Sequence, residues 1–93
     1  MKLKFKLGQI VTTRGVNDLI TKNEEFAEFV WESLGRHTIG DWGDLSEEDK
    51  KENEFSLDKH LRILSAYKKD KWKIWVLTEA DRSTTTVLFP EEY

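Results

Sequence analysis

The sequence predicts a single α+β domain over residues 1–93. About three N-terminal helices pack on a three-stranded antiparallel meander, and an N-terminal strand adds to an edge. Three observations lead there. Apolar residues recur every three to four positions in the first half of the chain and every two positions from Leu61 onward. The only proline is Pro90, and no repeat, linker or low-complexity tract divides the chain. Finally, 93 residues that are 38% apolar and 35% charged include four tryptophans, two tyrosines and five phenylalanines. That is core material for one small domain and argues against disorder.

The elements follow in order. Phe5, Leu7 and Gln9 alternate with Lys4, Lys6 and Gly8 and run into Ile10-Val11-Thr12-Thr13. This is a strand whose lysines blunt an exposed sheet edge. Thr13 is the N-cap of a short helix with Val16, Leu19 and Ile20 on one face. Thr21-Lys22-Asn23-Glu24 has capping-box form. It opens a helix with Phe26, Phe29, Val30 and Leu34 inside and Glu24, Glu25, Glu28 and Glu32 outside, and Gly35 stops it. Ser46 opens a third helix whose first turn, Glu47-Glu48-Asp49, suits the positive end of the helix dipole. Its apolar content is chiefly Phe55 and Leu57, so it lies on the surface. Residues 61–67 and 72–78 then alternate around the polar tip 68–71 as a β-hairpin with a four-residue loop. Residues 84–89 form a third strand. Ile74-Trp75-Val76-Leu77 is apolar on both faces, which makes the 72–78 strand central.

The net charge of −3 conceals a segregated pattern. Residues 1–22 hold five bases and one acid, residues 23–58 twelve acids and three bases, and residues 59–93 seven bases and five acids. An acidic middle block of this kind is ordinarily a pair of solvated helix faces, and on one side of the molecule it would repel nucleic acid and attract a basic partner.

Several function classes fall away. The absence of cysteine removes disulfides, thiolate zinc sites and cysteine nucleophiles. No stretch approaches the ~20 apolar residues of a membrane span, and the lysine-rich start has no signal-peptide apolar block, so a cytoplasmic location without membrane contact is expected. Glycines 8, 15, 35, 40 and 43 form neither a dinucleotide fingerprint nor a P-loop. No serine sits in a nucleophile elbow, and no cofactor is implied.

Two segments are richer than packing demands. Residues 35–44 place Arg36, His37, Asp41, Trp42 and Asp44 around two glycines, and residues 78–86 carry Glu79, Asp81 and Arg82 beside a run of hydroxyls. If the two turns meet, His37, Asp41, Asp44, Glu79 and Asp81 converge on a general acid–base or hard-cation site. Their spacing matches no defined metal motif, so neither a metal ligand set nor a catalytic residue is assigned. On the structural reading, Asp41 and Asp44 cap turns, Arg36 and Arg82 pair with carboxylates, and Trp42 plugs the core. His60 is read as surface or packing. The hairpin offers a different chemistry: Lys68, Lys69, Lys71 and Lys73 surround Trp72, and cations beside an aromatic grip a phosphate backbone and stack a base.

The two segments also carry a resemblance. Arg36-His37-x-x-Gly40-Asp41-Trp42-Gly43 and Thr78-Glu79-Ala80-Asp81-Arg82-x-x-Thr85-Thr86 belong to a series running from Leu7-Gly8-Gln9-Ile10-Val11 to Phe89-Pro90-Glu91-Glu92-Tyr93. Over nearly its whole length the chain resembles a family of small bacterial plasmid- and phage-related proteins, some labelled as type I restriction subunits. It departs from the family in Arg14, where a proline is frequent, and in its lysine-rich hairpin. A methyltransferase subunit needs a cofactor-binding α/β domain that 93 residues of this pattern do not contain.

The resemblance implies a small accessory protein of a mobile element that acts by binding. The expectation is therefore a non-catalytic module with a protein partner, counter-defence being one form of that role. Its recognition surface would be Arg36, His37, Asp41, Trp42, Asp44, Glu79, Asp81 and Arg82. One alternative is nucleic-acid binding through Lys69, Lys71, Trp72 and Lys73. Another is a metal-dependent hydrolase at His37, Asp41, Asp44, Glu79 and Asp81. Aromatics such as Trp31 or Trp72 leave room for a homodimer.

Overall fold

Three helices and a four-stranded mixed sheet make up the computed structural model, which describes residues 2–93. The strands are β1 (Gln9–Thr12), β2 (Ile63–Lys69), β3 (Trp72–Thr78) and β4 (Thr84–Leu88), in the order β1-β4-β3-β2. The α+β class therefore holds. Strands β2, β3 and β4 run antiparallel in sequence, and β1 joins β4 in parallel, with Ile10 opposite Thr85. No helix among the described residues is long and apolar enough to cross a membrane.

The helices are α1 (Arg14–Lys22), α2 (Glu24–Thr38) and α3 (Glu47–Lys59). Phe26, Phe29, Val30 and Leu34 of α2, with Val16 of α1, close over Tyr67, Ile74, Val76 and Val87 of the sheet. Each such side chain contributes about 1.5–3 kcal/mol through burial. Trp72 belongs to this packing, its ring 5.2 Å from that of Phe26 and 6.3 Å from that of Phe29.

Several sequence expectations are corrected. Only Gln9–Thr12 of the predicted N-terminal strand enters the sheet. Gly8, at a φ of 67°, turns the chain, so the preceding residues cross the end of the fold instead. There Lys4 N–H donates to the Thr38 carbonyl, while Thr38 Oγ1 and Thr85 Oγ1 donate to the carbonyls of Phe5 and Leu7. Thr21 lies inside α1 and donates to the Asp18 carbonyl; Asn23 caps α2 by accepting from Phe26 N–H. Thr13 keeps its place before α1, but its hydroxyl makes no cap. Glu92 takes over that task by accepting from Gly15 N–H and from the Thr13 hydroxyl.

Gly35 does not end α2, which continues to Thr38. The stop comes at Gly40, whose φ of 85° suits the left-handed position after the helix. Gly40 N–H and Asp41 N–H bond back to the carbonyls of His37 and Arg36, the paired return of a Schellman motif. The hairpin loop is two residues rather than four: Lys69 pairs with Trp72, and Asp70 takes the positive φ.

Helix α3 docks through polar side chains, with Asn53 and Ser56 buried and Phe55 exposed. The Asn53 amide donates to the Leu64 carbonyl and accepts from Leu64 N–H, at 2.7 and 3.2 Å. It thus pairs with the outer edge of β2 as a neighbouring strand would. Two residues along, Ala66 bonds to the backbone of Trp42 and Asp44. An edge that would otherwise invite another chain is closed.

Candidate functional site

The first signature segment starts in the last turn of α2. Arg36 forms a two-point contact with Asp41, 2.7 Å from Nε to Oδ2 and 3.1 Å from Nη2 to Oδ1. This bond lowers the Asp41 carboxyl below its ordinary range and raises the Arg36 guanidinium. Arg36 also covers the Tyr67 ring at 4.8 Å, and Tyr67 OH donates to the Asp41 carbonyl. Asp41 accepts further from Gly43 N–H. Gly43 must be glycine, because a Cβ there would run into the Ala66 carbonyl oxygen and the Tyr67 ring. Trp42 is buried and donates from Nε1 to Glu54 on α3. The Asp44 side chain stays exposed while its N–H closes the β2 edge.

His37 is the buried centre of this segment, with no solvent exposure. Nδ1 lies 2.6 Å from Ser65 Oγ and Nε2 lies 2.9 Å from Thr78 Oγ1. Thr78 Oγ1 meets Thr85 Oγ1 at 2.7 Å, and Thr85 donates to the Leu7 carbonyl. A carbonyl only accepts and each hydroxyl has one proton, so the order is set from that end. Thr85 donates to Leu7, Thr78 to Thr85, and His37 Nε2–H to Thr78. Burial keeps the ring neutral, so with the proton on Nε2 the bare Nδ1 accepts from Ser65. Burial, reinforced by the charge of Arg82, pushes the imidazole pKa down to about 3.

The second segment turns on Arg82, at a φ of 61°. Among the described residues it pairs with no carboxylate, contrary to expectation. Its guanidinium donates to the carbonyls of Leu61, Glu79, Ala80 and Ser56, tying the β3–β4 turn to the end of α3. Burial lowers its pKa. Asp81 accepts from the N–H and hydroxyl of Ser83, which lowers its carboxyl. Glu79 pairs with Arg62 at 3.2 Å.

The two segments do meet, but around an aromatic ring rather than a carboxylate cluster. The Phe5 ring lies 5.1 Å from that of His37 and 6.2 Å from that of Trp42, with the Arg82 guanidinium 5.6 Å above it. Among the described residues no three histidine, aspartate or glutamate side chains come together as a metal-binding group. Trp42 and His37 face inward; Arg36, Asp41, Asp44 and Asp81 remain at the surface. Beside Phe5 lies a cavity of about 230 Å³, lined by Lys4, Phe5, Lys6, Leu57, His60 and Arg82. Sequence reasoning gives Ser65, Thr78, Thr85 and Asn53 no role in the site and places Phe5 in an edge strand. The signal available was the buried-face parity of Ser65 with Tyr67 and of Thr78 with Val76.

The hairpin lysines are spread over two strands and the turn between them, with Lys68 opposite Lys73, Lys69 opposite Trp72 and Lys71 in the turn. Trp72 itself is half-buried against Phe26 and Phe29, and its remaining surface lines a cavity of about 360 Å³ with Lys71, Lys73, Phe89, Pro90 and Glu91.

No protein-family model matches the chain, and no curated protein or solved structure proved similar to it.

Proposed function

We propose that this domain is a non-catalytic binding module: a small cytoplasmic accessory protein of a bacterial mobile element that acts by contacting a protein partner. The observation that carries the reading is the state of His37. Both ring nitrogens are bonded and none of its surface is exposed, so the one imidazole in the two signature segments has no route to a substrate. The other conspicuous groups are engaged in the same frame: Arg36 with Asp41, Arg82 with four carbonyls, and Trp42 with Glu54. Residues rich in chemistry are spent on shape, which suits a rigid surface that recognises another molecule. The resemblance to plasmid- and phage-related proteins supports the mobile-element setting. Counter-defence is the form of the role that the acidic α2 and α3 suit.

The test is recovery of the tagged chain from a host carrying the element, followed by calorimetric titration with each purified companion. Saturable binding to one protein, unchanged by nuclease treatment, supports the reading. Recovery of nucleic acid alone, with retention lost on Lys71→Ala together with Trp72→Ala, would replace it with the hairpin alternative.

A further inference from the structure

The cavity beside Phe5 is built from three separate parts of the chain: the N-terminal crossing segment, the end of α3 and the β3–β4 turn. Four of its six lining residues, Lys4, Lys6, His60 and Arg82, have basic side chains, and none is acidic. A second cavity of about 370 Å³ shares Lys4 and Leu57 with it and adds Lys2 and Leu3, again without a carboxylate. In a chain with more acids than bases, 18 to 15, a continuous lining free of acids is a marked segregation.

Two of the cationic side chains, Lys4 and Arg82, are held in place. The aliphatic stem of Lys4 rests over Gly40, where a Cβ would approach its Cδ to 3.1 Å. Arg82 is fixed through Nη1 and Nη2 by four carbonyls, which carry no net charge, so its positive charge has no counter-ion within the described chain. Between the cations the floor is apolar, made by Leu57, Phe5 and, in the second cavity, the exposed Leu3.

We infer that this double groove binds an acidic, extended peptide segment of a partner protein, with an aliphatic side chain seated on Leu57 and carboxylates on the lysine rim. The inference rests on the protein-binding function proposed above and gives it a surface. Charge complementarity selects an anion. The ring environment selects peptide over nucleic acid. Stacked binding of bases needs a free aromatic face; Phe5, the one Phe, Tyr or Trp in either lining, already meets Arg82, Trp42 and His37, which leaves only the small imidazole of His60.

The test is fluorescence anisotropy of the full chain with a labelled ten-residue peptide alternating Glu and Leu. Its comparators are a Lys/Leu peptide, a Glu/Ser peptide and a ten-nucleotide oligothymidine. Saturable binding of the Glu/Leu peptide is expected, weakened about tenfold or more by Lys4→Glu with Lys6→Glu and weakened by added salt. Both comparator peptides should bind less well, the first because its charge has the same sign as the lysine rim and the second for want of an anchor. Lys4→Gln with Lys6→Gln serves as a second variant should the glutamate pair fail to fold. Equal affinity for the two Glu peptides, tighter binding of the oligonucleotide, or no effect of either lysine pair would overturn the inference. So would self-association of the chain that these substitutions abolish, because the occupant would then be a second copy. A protein recovered from the host that binds the Lys4→Glu/Lys6→Glu chain unchanged would overturn the groove and leave the binding function standing.

Discussion

Ser65 Oγ and His37 Nδ1 lie 2.6 Å apart, in side chains with no solvent exposure, and Ser65 donates because burial keeps the ring neutral while the relay to the Leu7 carbonyl holds its one proton on Nε2. Four bonds in series link β2, α2, β3, β4 and the N-terminal segment through one neutral imidazole. A serine beside a histidine ordinarily suggests a nucleophile and its base. Here the serine donates inward to a ring that is sealed from water, and the pair acts as a fastener.

His37→Ala should therefore be among the most damaging substitutions in the chain. It strands the hydroxyls of Ser65 and Thr78 and leaves a cavity, at a cost of about 3 kcal/mol or more. The thermal midpoint should fall by more than about 10 °C. His37→Phe, which restores volume but no acceptor or donor, should also be destabilising.

The same ring imposes a pH dependence. Unfolded, it takes a proton below its ordinary 6.5; folded, it resists until about 3. The unfolded state thus binds more protons across that window, so this contribution is complete above about 6.5 and is lost as pH falls toward 3. The slope is up to about 1.4 kcal/mol per pH unit. Asp41, lowered mainly by its bond to Arg36, adds a separate loss that begins only near the ordinary carboxylate value of 3.8. Urea melts from pH 8 to 4 should show stability falling from about pH 6.5, well above the carboxylate range.

Gly35→Ala should stabilise the protein. Gly35 lies inside α2, and a Cβ there meets nothing within 4 Å. Alanine should gain roughly 0.5–1 kcal/mol from helix propensity and the stiffer unfolded chain, read as a thermal midpoint raised by a few degrees.

Asn53→Ala should cost about 1–3 kcal/mol by stranding the Leu64 amide and carbonyl. Asn53→Asp should be worse, since a carboxylate has no hydrogen to give the Leu64 carbonyl. Amide exchange at Leu64 should quicken in both, and an opened β2 edge should raise the tendency to aggregate.

Much of the fold was legible in the sequence because periodicity is a local signal. The stripe Phe26, Phe29, Val30, Leu34 and the alternation around Tyr67 and Ile74 each report which face is buried. Helix ends were less legible. Gly35 and Gly40 are both plausible stops by residue type, and only the positive φ at Gly40, set by the return bonds to Arg36 and His37, separates them. The two signature segments stand out in the sequence, yet their meeting point does not, since Phe5 reads as one more residue of an edge strand. Its position depends on the turn at Gly8, which no pattern in residues 1–13 encodes. Asn53 was hidden for a similar reason: a polar residue on a thin amphipathic helix reads as solvated until a strand edge stands beside it.

The most direct measurement is ¹⁵N NMR of the His37 ring across pH 5–8. The account predicts one unchanging neutral form, protonated at Nε2 and unprotonated at Nδ1, throughout that range. A ring that titrates near its ordinary 6.5 would contradict it: water would then reach His37, and the imidazole would be free to serve as a base or a ligand.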